Sequence, residues 1–407
     1  MPEPKRPSSS NKKICLISQS HLSRNPRVVK EAISLAKAGY QVIIVTSIYA
    51  KKLFAQDREL VKGYDISIKT VANLDKASIQ TLMDKLLLKL GIWANAYLKL
   101  ANKFTLGYGI HRYLSVCLQQ QADLYLCHQE LATYIGTQLL KRGLKVGFDF
   151  EDWYSEDLLP AARKTRSMRL LKAMEKKALQ QGTFSYTTSD ALAKALCDNY
   201  NCKMPYTLYN VFPQPNINNH TSIETKSPLN LFWFSQTIGG GRGLEEFIDL
   251  LNQLQTKVAL HLLGDVSPDF SQKLERLLDK PHQLFFHPLV PPSQLVAKIA
   301  TFDIGLALEK TTPPSRNYTI TNKFFQYIQS GLPVIASATA GQLEIFEKGR
   351  PGLLLSPSPE MAKDLDRWLS DFTAINDSKA RALQLATVYN WENEEKKLLH
   401  MIKQHME

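Results

Sequence analysis

The stretch that most constrains how this chain can fold is residues 319–337, TITNKFFQYIQSGLPVIAS. It reads as a polar helix start, a short helix, a Gly-Pro turn and a buried strand. Thr321 stands where a hydroxyl accepts an orphan backbone N–H, and Phe324, Phe325, Tyr327 and Ile328 supply an apolar face. Gly331 sits where a helix end calls for positive φ, and Pro333 follows where the helix cannot continue. Val334 and Ile335 open the next strand. A helix start of this kind presents free N–H groups and partial positive charge, a natural seat for a phosphate. Lys323 falls in its first turn, where a cation opposes the helix dipole at a cost of roughly 0.3–1 kcal/mol. A bound anion would remove that cost; an ammonium turned to solvent is the alternative.

The same strand–helix rhythm runs through the rest of the chain. Residues 13–18 (KICLIS) form an apolar strand, Asn25 and Pro26 start a helix, Gly39 ends it, and 41–46 (QVIIVT) is a second strand. The intervening loop lacks G-x-G-x-x-G, so the dinucleotide fingerprint is absent. Arg24 and Arg27 place cations at that helix start, either solvated or on an anion. Residues 123–128 and 145–150 read as strands, the second running into EDWYSED. Ligands of doubly wound sheets bind outside the carboxyl ends of strands. Asp149, Glu151 and Asp152 are therefore candidates for contacts to substrate hydroxyls, or simply a solvated acidic loop. A basic helix over 161–182, a strand at 184–187, a helix at 190–200 and a strand at 207–209 complete a first domain over 13–211. Residues 1–12 read as a loose tail and 212–228, rich in Pro, Asn, Ser and Thr, as a linker. A second domain, 229–389, repeats the alternation, with strands at 229–234, 258–263, 283–286 and 303–308. Residues 390–407 hold one amphipathic helix.

The 50 basic against 38 acidic residues, a formal charge of +12, point to an anionic partner. No nucleic-acid module accompanies the charge. Five cysteines without a C-x-x-C pair argue for a reducing, cytoplasmic compartment and against a disulfide scaffold or zinc site. No apolar run reaches the length of about 18 residues that a membrane span needs. Residues 76–118 stand apart. Ile79, Leu82, Met83, Leu86, Leu87 and Leu90 recur at helical spacing among Lys85, Lys89, Lys99 and Lys103, with Asp84 the single acid. Such a helix pair either lies peripherally on the anionic inner face of a membrane or packs its apolar face on the domain.

In the second domain the turn SQTIGGGRGLE, 235–245, is the other anion candidate. Gly239, Gly240, Gly241 and Gly243 let the backbone approach a ligand closely, and they flank Arg242 just before a helix. The GK[ST] ending of a P-loop is missing.

Together SQTIGGGRGLE, NKFFQYIQSGLPVIA and SRNPRVVKEAISLAKAGYQV resemble the GT-B glycosyltransferases, most of all glycosyltransferase family 4, over about residues 13–405. The resemblance implies an α/β fold of two Rossmann-like domains facing a cleft, with the last helix crossing back to the first domain. It implies transfer of a sugar from a nucleotide-diphosphate sugar to a hydroxyl of a glycan or lipid-linked acceptor, retaining, without metal or cofactor. By the same resemblance Arg242 holds the donor diphosphate, helped by Lys323, and Glu151 stands where many relatives have a His that contacts the donor sugar. Gly240, Gly241, Gly243, Glu309, Tyr318, Thr321, Asn322 and Gln326 would bind the donor; His21, Arg24, Arg27, Asp149 and Asp152 the acceptor. The chain departs from the family at Gln236, usually a second Arg, and at Tyr318 and Gln326, where the E-x7-E motif places its two carboxylates. Those departures leave two alternatives: an inactive nucleotide-sugar-binding partner subunit, and a nucleotide-sugar epimerase.

Overall fold

The computed structural model describes residues 12–215 and 228–407. They fall into two compact units: one ends at Leu208 and takes in Glu395–Glu407, the other is Tyr209–Glu394. Most of the proposed tail and most of the proposed linker lie outside the described residues.

The first unit is built on seven parallel strands, β1 Lys13–Ser18, β2 Gln41–Ile48, β3 Ile66–Asn73, β4 Leu124–His128, β5 Val146–Phe150, β6 Phe184–Thr187 and β7 Tyr206–Thr207. Their order is β3-β2-β1-β4-β5-β6-β7. β1 is central, Ile14 pairing with Val42 on one side and Leu124 on the other. Helices cover both faces of such a sheet, so its strands are apolar without alternation, and Ile14 to Ile17 are fully buried. β3, ISIKTVAN, is the edge strand and only half-covered. The sequence reading passed over it and over the helix Lys51–Leu60 before it. The basic helix expected over 161–182 is broken into Pro160–Arg163 and Met168–Gln181. The break holds Arg166 against Glu130 (2.7 Å) and the Thr105 carbonyl (2.8 Å). The last helix, Trp391–Met406, ends against this unit: His405 stacks on Phe184 with ring centres 4.7 Å apart, and Lys145 Nζ donates to the His405 carbonyl.

The basic segment 76–118 forms two helices, Ile79–Leu98 and Ile110–Gln119. The first does not pack by its apolar stripe; the residues it buries are Thr81, Asp84 and Gly91. Among the described residues no helix is long and apolar enough to cross a membrane.

The second unit carries six parallel strands, β8 Leu229–Ile238, β9 Val258–Val266, β10 Gln283–His287, β11 Ile304–Ala307, β12 Val334–Ser337 and β13 Gly352–Leu355, in the order β10-β9-β8-β11-β12-β13. The organising stretch forms as read. Helix Asn322–Gln329 turns at Gly331, φ 75°, into β12. Gly305 on β11 lets that helix lie close, since a Cβ there would stand 2.2 Å from the Tyr327 ring.

Candidate functional site

In the second unit the strand order reverses between β8 and β11, the point where open α/β sheets bind ligands. Both glycine-loop and organising-stretch residues converge there. Beyond β8, Gly241 and Gly243 adopt φ of 77° and 79°, the left-handed region that other residues occupy only at a cost. Gly243 caps the helix Leu244–Leu251. Arg242 between them is half-buried and makes no ion pair among the described residues. Arg316, in the turn before the organising helix, donates from Nη1 to the Gly241 carbonyl at 3.1 Å. Lys323 does not point to solvent. It is half-buried, its ammonium 5.3 Å from the centre of the buried Trp233 ring. Burial lowers its pKa, Glu309 pulls it back up, and Arg242 and Arg316 lower it further. Two guanidiniums and one carboxylate thus act on the Lys323 ammonium beside a glycine loop.

The Thr321 hydroxyl does not cap the helix as expected; Thr321 is extended at the N-cap position and its side chain bonds no backbone N–H there. The first turn is left with orphan donors. Asn322 is exposed at the first helical position, and Gln326, one turn on, is half-buried. Tyr318 is half-buried at the end of the turn Ser315–Tyr318. Next to this cluster lies a cavity of about 370 Å³, lined by Gly243, Glu309, Thr312 and Ser337 over an apolar floor of Leu308, Leu355 and Met361. The Glu309 N–H donates to Ser337 Oγ at 3.0 Å. Gly240 stands at the outer side of the loop, 3.5 Å from a Glu245 carboxylate oxygen as measured from where its Cβ would lie.

In the first unit a cavity of about 530 Å³ opens at the carboxyl ends of β1, β4 and β5. His21, Arg24, Glu151 and Asp152 line it, with Tyr49, Gln129, Glu130 and Arg166. Glu151 is oriented by Asn25, whose Nδ2 donates to Oε1 at 2.8 Å. Three expectations need correction here. His21 has no free ring nitrogen: Nδ1 lies 2.5 Å from Asp57, and Nε2 accepts from the backbone N–H groups of Tyr49 and Ala50. It braces the loop and can offer a ligand only its ring edge. Arg27 and Asp149 are fully buried and bonded to each other, Nε and Nη2 to the two carboxylate oxygens at 2.6 and 3.0 Å. Neither is open to an acceptor.

That pair belongs to a closed network beneath the cavity. Arg27 Nη1 also donates to the Leu208 carbonyl, and Glu31 lies 3.4 Å from Arg27 Nε. The Tyr186 hydroxyl donates to Glu31, and His128 Nδ1 bonds Asp149 at 3.0 Å with Nε2 3.4 Å from Glu31. Burial opposes charge on His128, but Glu31, Asp149 and Glu151 outweigh it and push its pKa up to about 10. Burial raises Glu31 to about 7 against the pull of His128 and Arg27. Glu31, His128 and Asp149 have ligand atoms within 4.8 Å of one another, as a metal site would. The Arg27 guanidinium already supplies the positive charge there.

Sequence reasoning missed Arg316, Glu130 and Arg166. Arg166 stood out only as part of a charge run. Arg316 lies 75 residues from the glycine it holds, and no local pattern marks it.

Residues 242–397 match a glycosyl transferase-like family model. A search of curated proteins finds no match. Among solved structures the chain is similar to HepE (Alr3699) of Anabaena in complex with UDP-glucose, at 15% identity and TM-score 0.65, over 96% of this chain and 99% of that one. It is similar also to the sucrose-phosphate synthase of Thermosynechococcus elongatus, at 15% identity and TM-score 0.67, over 97% and 98%. The fold is GT-B. A third GT-B neighbour is an E. coli trehalose-6-phosphate structure bound with UDP-2-fluoro glucose, at 13% identity and TM-score 0.62, over 97% and 99%. The family match begins at Arg242 and takes in all three cations of the second-unit cluster.

Proposed function

We propose that the chain transfers a sugar from a nucleotide-diphosphate sugar to a hydroxyl of a glycan or lipid-linked acceptor, with retention and without metal. The observation that carries the reading is the convergence of Arg242, Arg316 and Lys323 on a glycine loop and an uncapped helix start. The Lys323 ammonium, whose charge both arginines disfavour, would be stabilised together with them by one dianion. The diphosphate of the donor would lie among them, and the cavity with the Leu308–Met361 floor is of a size and polarity to take its nucleoside end. As the sugar–phosphate bond breaks, negative charge grows on the leaving phosphate, and donors preorganised for that charge typically contribute about 10²–10³ in rate each. The acceptor hydroxyl would attack from the face the phosphate leaves, passing its proton to that phosphate. Glu151, fixed by Asn25 at the rim of the first-unit cavity, would bind a sugar hydroxyl.

UDP-sugars are the first donors to try, because HepE and the E. coli neighbour are bound to them. In a thermal-unfolding series with UDP-, GDP- and ADP-sugars, the donor at about 100 times its Kd stabilises the protein by about 2.7 kcal/mol. Release of labelled sugar onto an added acceptor completes the test. Stabilisation without release favours the partner-subunit reading; interconversion of the sugar with no acceptor present favours the epimerase. No stabilisation by any of the three overturns the donor site.

A further inference from the structure

We propose that the outward face of the helix Ile79–Leu98 seats the protein on an anionic lipid surface. The inference does not depend on the sugar-transfer reading; it concerns a different element of the first unit.

The helix is mounted the wrong way round for a domain standing alone in water. Its inward side is small and polar. Thr81 Oγ1 donates to the Asn73 carbonyl, and Asp84 takes a two-pronged bond from Arg112 at 2.6 and 3.1 Å. Gly91 is pressed so close to Asn102 and Phe104 that a Cβ would come within 2.8 Å of each. These contacts fix the rotation of the helix about its axis. They leave Leu82 and the series Met83, Leu86, Leu90, Trp93 and Tyr97, spaced three or four apart, each more than half exposed. A surface helix normally turns that stripe to the core, and an exposed apolar patch of this size marks a site of interaction.

Charge decides the partner. Asp84, the one acid of the helix, is buried and neutralised by Arg112, so the outward face carries no acid. Lys85 and Lys89 are exposed and, at 100° per residue, fall along one edge of the apolar stripe. Lys76 before the helix and Lys99 at its end are exposed too. Leucines with Trp and Tyr, flanked by lysine and free of acids, match the interface of an anionic bilayer. A protein interface is by contrast depleted in lysine, and a second copy would set like-charged lysines near one another.

The test uses the full chain and vesicles of phosphatidylcholine with and without a third of phosphatidylglycerol. The protein should float with the anionic vesicles at low salt and release at high salt. Lys85→Glu/Lys89→Glu and Leu86→Glu/Leu90→Glu should each weaken binding at least tenfold while the thermal unfolding midpoint stays put, because all four side chains are solvent-facing. Brominated lipid should quench emission of the wild type more than of Trp93→Phe. Absence of flotation, equal binding to neutral vesicles, or binding unmoved by either double variant overturns the proposal. So does a dimer in sedimentation that Leu86→Glu/Leu90→Glu dissociates, since the stripe would then be covered by a second copy.

Discussion

The ammonium of Lys323 lies over the ring of Trp233, 5.3 Å from its centre, and pairs with no carboxylate among the described residues. Burial and two neighbouring arginines disfavour its charge; the indole face returns about 0.5–2 kcal/mol. Without ligand the two effects oppose each other. Lys323→Met should therefore unfold within about 1 kcal/mol of wild type in urea, since the half-buried ammonium has no carboxylate partner to strand among the described residues and an apolar side chain keeps the packing of its stem. Binding of UDP, followed by calorimetry, should weaken at least tenfold, which is about 1.4 kcal/mol. A Lys323→Met protein that binds UDP as tightly as wild type would remove the lysine from the donor site.

Arg242 and Arg316 should separate by kinetics. Arg242 is free to meet the ligand, so Arg242→Ala should lower kcat/KM for the donor by at least tenfold with no change in unfolding midpoint. Arg316 also ties down the Gly241 carbonyl. Arg316→Ala should lower kcat/KM and, in addition, raise proteolytic cleavage within 239–243 in the unliganded protein, because the loop loses its brace. Equal cleavage in the two variants would argue that the Arg316 contact does not hold the loop.

Arg27 gives the opposite outcome from a ligand-binding residue. Its guanidinium is fully buried between Asp149 and Glu31. Removing one member of a buried ion pair strands the other and typically costs about 3–5 kcal/mol. Arg27→Met should show that loss in chemical unfolding. A variant as stable as wild type but impaired in acceptor use would restore the role expected from the sequence.

The contrast between Lys323 and Arg27 marks how far a sequence can be read. Both are cations in the first turn of a helix, and the same dipole argument assigns both to an anion. The setting of Lys323 was legible because its helix, glycine turn and following strand are contiguous within 319–337. Arg27 was not, because its partners Asp149 and Leu208 are 122 and 181 residues away; only the order of β1, β4 and β5 in the sheet brings them to one point. The alternation of strands and helices was legible for the same local reason, except at β3, where edge exposure blurs the pattern. The helix Ile79–Leu98 was legible as amphipathic but not in its rotation. Spacing finds a stripe, whereas which side faces the core is set by Arg112 and Asn102, outside the helix.

The network under the first-unit cavity should make the protein lose stability in mild alkali. His128 is held charged by Glu31, Asp149 and Glu151 against the cost of burial, and its pKa rises from 6.5 to about 10. A group whose folded pKa is raised contributes stability that is complete below its unfolded pKa and is lost as pH climbs through the folded one. The window is therefore about pH 7 to 10. Glu31 is raised as well, to about 7, so its contribution is spent below that window. Lys323, with its pKa lowered, acts with the opposite sign. The His128 effect is accordingly read as the difference between wild type and His128→Gln. Wild-type unfolding free energy should fall by at least about 1.4 kcal/mol, the worth of one pKa unit, across pH 7–10 relative to the variant. Parallel pH curves for the two proteins would mean that His128 is neutral in the fold and that Arg27 alone balances the buried carboxylates.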